Sequence, residues 1–352
     1  MMRRTQGVAR VLLSAAVLVA AVGVVGPGAV AAEAGACAWQ PSVLPMPAGA
    51  LAGAVDATDG SGGYAGTISY GADSAKGGRA VLWKDGKLTD YGNLADPAYQ
   101  NWVGVHGVND AGTVVGAAYQ ESTGFPSAIR SRDGRLERLP ELPGAFSSRA
   151  EGINDRGDIV GAVDTEVDGA PYSHPVIWPA DRPGTVVELT GLPATSASAT
   201  GIDQDGTVTV EATYDVKQEL YLWKGGSARR LPLPDGARDV IPRGISNGRV
   251  IAQVGVGADA RSVLWDRDGQ PRVVERADDI RGINRDGRIV GRTDDPSRRQ
   301  FGVWQGTALA STLAWSSNRG LELTVSSDDG TLAGRSWTFP GGRDEPTVWA
   351  CR

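Results

Sequence analysis

GINDRGDIVG runs from Gly152 to Gly161, GVNDAGTVVG from Gly107 to Gly116, and GINRDGRIVG from Gly282 to Gly291. Looser copies are GIDQDGTVTV from Gly201, GISNGRVIA from Gly244, TVSSDDGTLAG from Thr324 and AVDATDGSGGYAG from Ala54. A phrase that returns every 40–50 residues or so marks a propeller, solenoid or array, because one unit cannot bury its apolar face alone. Each phrase puts β-branched residues on either side of an Asn/Asp-x-x-Gly turn, which is hairpin chemistry.

A second phrase follows each copy: AVLWKDG at Ala80, HPVIWP at His174, LYLWKGG at Leu220, SVLWDRDG at Ser262, FGVWQG at Phe301 and TVWACR at Thr347. The unit at Gly107 has SAIRSRDG, with Arg130 in the tryptophan position. A third phrase, LERLPELPG at Leu136 or ARRLPLPDG at Ala228, completes four short strands per unit. Seven units of four antiparallel strands predict a seven-bladed β-propeller; the alternative is an open β-solenoid.

The last unit stops at Trp349-Ala350-Cys351-Arg352, after its third strand. Ser42-Val43-Leu44-Pro45-Met46-Pro47 resembles the LPELP phrases and is expected to supply the missing fourth strand, closing the ring and removing an exposed edge. The two cysteines, Cys37 and Cys351, flank the segments that must pair, and a disulfide between them is expected.

Met1 to about Ala32 reads as a secretory signal: Arg3, Arg4 and Arg10, an apolar run from Val11 to Val25, and Ala29-Val30-Ala31 as the cleavage motif. Residues 33–352 then form one propeller domain, secreted and free of the membrane once the signal is cleaved. Cleavage removes three arginines and leaves 32 basic against 41 acidic residues, a net charge of −9. That lacks the basic footprint of a nucleic-acid binder. The expected partner is an extracellular protein or glycan, with the chain itself a monomer.

These phrases resemble the HAF-repeat family of extracellular bacterial proteins, in which GINxxGxVVG is followed by HAFLW-like and DLGTL-like strands. Ser173–Trp178 (SHPVIW) and Asp90–Leu94 (DYGNL) fit that pattern, and the resemblance extends from Ala54 to Trp349. It implies secretion and a repeat β-fold, and no transferable catalytic activity.

No catalytic set stands out. Gly244-Ile245-Ser246-Asn247-Gly248 matches a nucleophile elbow, but Ser246 lies in register with the repeat's Asn in a hairpin, whereas an elbow needs a strand-turn-helix. Asp203-Gln204-Asp205-Gly206 lacks the downstream acid of a calcium loop. With only His106 and His174, no metal-ligand spacing and no cofactor motif is visible. An extracellular glycan hydrolase or lyase with carboxylates in the central opening is the alternative to a binding module.

In a propeller, the start of each innermost strand shares a face with the loops joining second and third strands. The residues just before each phrase are Gly53, His106, Glu151, Thr200, Arg243, Arg281 and Leu323. His106, Glu151, Arg243 and Arg281 are candidate binding residues, the two arginines as an anion clamp. Six tryptophans share one repeat position and are expected to pack between blades. Trp102 and Trp337 lie outside it and are candidate contact residues beside long loops such as Val163–His174 and Ser336–Glu345.

Overall fold

The structure, a computed structural model, describes residues 38–352 apart from 72–76, 100–101, 194–195, 215–216, 258, 296 and 298–299. The secretory segment and Cys37 lie outside the described residues. The first strand is β1 (Trp39–Val43). Blade one follows as β2 (Ala52–Thr58), β3 (Tyr64–Ser69), β4 (Gly78–Lys84) and β5 (Lys87–Gly92). Blade two is β6 (Trp102–Val108), β7 (Val114–Tyr119), β8 (Pro126–Arg132) and β9 (Arg135–Arg138). Blade three is β10 (Ala145–Ile153), β11 (Ile159–Val167), β12 (Ala170–Trp178) and β13 (Val187–Glu188). Blade four is β14 (Ser196–Ile202), β15 (Val208–Tyr214), β16 (Lys217–Lys224) and β17 (Ser227–Leu231). Blade five is β18 (Ala237–Ser246), β19 (Arg249–Val256), β20 (Asp259–Trp265) and β21 (Pro271–Val273). Blade six is β22 (Ala277–Ile283), β23 (Arg288–Thr293), β24 (Gln300–Gln305) and β25 (Ala308–Ala314). Blade seven is β26 (Arg319–Ser326), β27 (Leu332–Thr338), β28 (Glu345–Cys351) and, as its outer strand, β1.

These are seven four-stranded antiparallel sheets, and their first strands contact one another in sequence around a ring, with β26 meeting β2. The fold is a seven-bladed β-propeller. Closure is by β1, which sets Trp39 opposite Cys351 and Val43 opposite Thr347. The closing strand therefore lies three residues earlier than the LP phrase implies. Leu44-Pro45 is the linker that leaves it, as Leu139-Pro140 leaves β9.

That linker explains the repeat tryptophans. Five of the six indole N–H groups donate to a carbonyl in the linker of the preceding blade: Trp83 to Pro45 (2.7 Å), Trp178 to Pro140 (2.7 Å), Trp223 to Thr190 (2.9 Å), Trp265 to Pro232 (2.7 Å) and Trp304 to Glu275 (2.7 Å). The residue before the accepting carbonyl is buried at Leu139, Leu189, Leu231 and Val274. The LP phrase is thus an inter-blade socket, and the tryptophan is its plug. In blade two, Arg130 instead pairs with Glu137 at 2.7 Å.

The repeated asparagine is equally structural. Asn109, Asn154 and Asn284 are buried, and each Oδ1 accepts from the backbone N–H four residues on, closing its own turn. Asn109 and Asn284 also donate Nδ2 to the next blade, to the carbonyls of Asn154 and Ser327. Buried amide groups would otherwise be costly. Ser246 occupies this position beside an Asn247-Gly248 turn with φ of 51° and 75°, so it belongs to a type I′ hairpin and not to an elbow. Both carboxylate oxygens of Asp203 accept from that turn, from Asn247 N (3.0 Å) and Gly248 N (2.6 Å).

Candidate functional site

Every innermost strand carries a register shift one residue before the glycine that opens the repeat phrase, or before its equivalent. The extra residue of each bulge has no cross-strand partner and turns toward the axis. Around the ring these residues are Asp56, His106, Glu151, Thr200, Arg243, Arg281 and Thr324, and all seven line one waist of about 240 Å³ in the central channel. Four of the five non-threonine members are the candidates read from the sequence. Gly53 and Leu323 are not members: both are buried, and the bulge assigns blades one and seven to Asp56 and Thr324.

A sequence signal for the bulge does exist. The glycine ending the phrase sits opposite it, where an added Cβ would strike the carbonyl of the first strand. At Gly161 it would meet Arg149 O at 1.8 Å, and at Gly66, Ala54 O at 1.9 Å. Such close backbone approach admits only glycine. Asp56, His106, Glu151, Arg281 and Thr324 each lie ten residues before that glycine.

The ring is charged but largely self-paired. Arg243 donates to Asp279 (3.2 Å), which also accepts from Arg281 (2.6 Å); Arg281 approaches Glu322 (3.5 Å), and Glu322 holds Arg335 (2.5 Å). On the other side Asp164 holds Arg149 (3.0 Å), Arg149 reaches Glu151 (3.4 Å), and Glu151 meets His106 Nδ1 (3.2 Å). The expected anion clamp therefore does not stand open. Asp279 and Glu322, which carry no repeat signature, already engage both arginines.

Asp56 lies between the ends of these two chains. Thr67 donates to its Oδ2 at 3.0 Å, and among the described residues it makes no salt bridge. Loss of hydration in the narrow channel pushes its carboxyl up to about 6, against the Thr67 hydrogen bond and the fields of His106 and Arg335. His106 is held differently. Burial pulls its pKa down, but the bond and charge of Glu151, with the Ala150 carbonyl at 3.0 Å, raise it overall. Glu151 is lowered: burial opposes ionisation, and His106 and Arg149 overcome it. Both neighbours of His106 Nδ1 are acceptors, so that nitrogen carries the proton, and Nε2 lies on the Gly104 side.

Above the waist, on the loop face, the channel widens into a pocket of about 400 Å³. Asp56, His106, Trp102, Tyr119, Arg281 and Arg335 line it, so Trp102 joins the ring residues. Trp337 is elsewhere, in a pocket between blades six and seven that shares Arg281 and Glu322 with the channel. The stretch Val163–His174 is not a loop: β11 and β12 extend through it to a two-residue turn at Asp168-Gly169. His174 is tied down by Glu188 (2.9 Å) and Thr165 (2.8 Å). Cys351 sits at the closing seam opposite Trp39; its partner in the expected disulfide, Cys37, lies outside the described residues. Among the described residues no group of three or more His, Cys, Asp or Glu side chains is placed to hold a metal ion.

The fold and this channel define the chain as a β-propeller with a polar axial ring. No known family model matches the chain, and no curated protein matches it. Solved structures do. TolB from Acinetobacter baumannii is similar at 14% identity and a TM-score of 0.51, over 84% of this chain and 68% of that one. The Pyrococcus horikoshii acylaminoacyl peptidase is similar at 12% identity and 0.53, over 85% of this chain and about half of that one (51%). An oligogalacturonate lyase in complex with manganese is similar at 10% and 0.57, over 89% and 96%. At such identities the likeness is one of fold.

Proposed function

We propose that the protein is a secreted binding module whose loop-face channel mouth takes a ligand or partner segment rich in hydrogen-bond donors. The observation that carries this is Asp56. It is the ring carboxylate that burial pushes up and that has no ionic partner among the described residues, while the arginines are occupied. A desolvated carboxyl between two charged chains gains most from an incoming amine or hydroxyl donor. Trp102 and Tyr119 offer apolar walls beside it. The diversity of the bulge residues supports the same reading, since a scaffold that needed only closure would not require seven polar side chains there. The signal-like N-terminus and the HAF-repeat resemblance support export.

The test is a thermal-shift and calorimetric screen of amines, oligosaccharides and secreted proteins against the parent and two variants. Asp56→Asn should weaken the ligand found by roughly ten- to hundredfold, and Arg243→Ala should change it little. Equal binding by Asp56→Asn would remove the channel mouth as the site. Export is tested by N-terminal sequencing of protein recovered from culture supernatant.

A second reading, an extracellular glycan hydrolase or lyase, is favoured by one arrangement. Glu151 fixes His106 with Nδ1 protonated, and the same channel waist holds an Asp56 carboxyl pushed up to about 6, so two carboxyls shifted in opposite directions, Asp56 up and Glu151 down, line one site. Incubation with polysaccharides should then release reducing or unsaturated ends, and His106→Gln should abolish the release.

A further inference from the structure

The pocket between blades six and seven holds about 560 Å³, a size suited to a small ligand. Its apolar wall is Trp315, Trp337 and Phe301. The two indoles meet edge to face with centroids 5.0 Å apart, and Phe339 stands 5.7 Å from Trp315 and 6.4 Å from Trp337. The Trp315 indole N–H donates to the Leu321 carbonyl at 3.0 Å, so this ring is anchored. Trp337 is fixed by a different device. It pairs across the strands with Gly320, and an added Cβ at Gly320 would lie 2.3 Å from Cε2 of the indole. The missing side chain of Gly320 is what lets the indole lie against β26.

The rest of the lining is polar, with Asp278, Asp294, Asp295 and Glu322 facing Arg281 and Arg292. Arg292 is engaged by Asp278 at 2.7 Å, and Arg281 by Asp279 and Glu322. Four carboxylates against two engaged guanidinium groups make a field that repels anions.

We propose that this pocket binds a neutral pyranose unit of a glycan. One face of a pyranose ring is a patch of C–H bonds carrying slight positive charge, complementary to the negative face of an indole. Its hydroxyls come in adjacent pairs, which planar carboxylates and guanidinium groups bind two at a time. The charge balance selects against uronic or sulfated sugars. The anchored indoles mean that little side-chain freedom is lost on binding.

The experiment is calorimetric titration of the full chain with maltohexaose, cellohexaose, mannohexaose and, as the acidic comparison, trigalacturonate. A neutral hexasaccharide should bind, and trigalacturonate should not. Trp337→Ala should weaken binding roughly ten- to hundredfold, and Gly320→Ala, which keeps the indole but displaces it, should do nearly the same. In the parent, the bound sugar should protect Trp337 from oxidation by N-bromosuccinimide, a readout independent of how the variants fold. Binding of trigalacturonate alone, no binding of any neutral sugar, or no protection of Trp337 would overturn the proposal. Sugar binding lost in His106→Gln but kept in Trp337→Ala would put the sugar in the channel, overturning this pocket while leaving the channel reading intact.

Discussion

The indole N–H of Trp83 donates to the carbonyl of Pro45 across 2.7 Å. Trp83 belongs to blade one, and Pro45 follows the strand that completes blade seven. The bond therefore latches the closing strand to the start of the ring, and the same contact recurs in blades three to six. Closure of this propeller uses the ordinary inter-blade joint.

Trp83→Phe should keep most of the apolar contact but leave the Pro45 carbonyl without its donor, at a cost of about 1–3 kcal/mol. Trp83→Ala adds a cavity and should cost about 3–5 kcal/mol. Urea unfolding followed by circular dichroism measures both. Equal midpoints for Trp83→Phe and the parent would remove the latch from the account of closure.

The repeat tryptophans are not equivalent. Trp304 is fully buried, whereas Trp223 is part exposed although it makes the same bond. Trp304→Ala should cost about 3–5 kcal/mol, and Trp223→Ala clearly less, because less area leaves water when Trp223 folds. The ordering is the prediction, and parallel denaturation curves decide it.

Much of this architecture is legible in the sequence. The GIN phrase and the VLW phrase each return at one strand position, and the truncated last unit announces the closing strand. Register is less legible. In blades one and seven, Ala57 and Val325 replace the opening glycine, so the phrase loses its anchor and Asp56 and Thr324 go unrecognised. The partners of the ring arginines were illegible for another reason. Asp279 lies on the same strand as Arg281, but Glu322 comes from the next blade, about forty residues away by the repeat period. Only assembled blades bring them together.

Cys351 and Trp39 face each other at the seam, two positions from Cys37 in the sequence. A Cys37–Cys351 disulfide is proposed on that basis. It would close nearly the whole chain into one loop, worth roughly 5 kcal/mol at most by the chain-entropy account. Peptide mapping without reductant should recover the two peptides linked, and Cys351→Ser should lower the melting temperature. Two alkylatable thiols in protein purified without reductant would contradict the pairing.

The channel makes stability depend on pH through Asp56. Its carboxyl is held at about 6 in the fold against 3.8 in an unstructured chain, so between those values the folded state keeps a proton that the unfolded state has lost. Stability must therefore fall as pH rises from about 4 to 6, and the full difference is about 3 kcal/mol, a ceiling because the Asp56 residue is only half-buried. The His106–Glu151 pair acts otherwise. The lowered Glu151 contributes stability above its ordinary range, which is lost as pH falls; the raised His106 contributes stability at low pH, which is lost as pH rises through its folded value. The raw pH profile thus mixes opposing slopes, and the informative quantity is a difference. Asp56→Asn mimics the protonated carboxyl at every pH. It should match the parent near pH 4 and exceed it in unfolding free energy at pH 7. His106→Gln should flatten the decline at the alkaline end instead. Chemical denaturation of the three proteins at half-unit steps from pH 4 to 8 separates these contributions. An Asp56→Asn advantage that does not grow with pH would mean that the carboxyl is not held protonated by the channel.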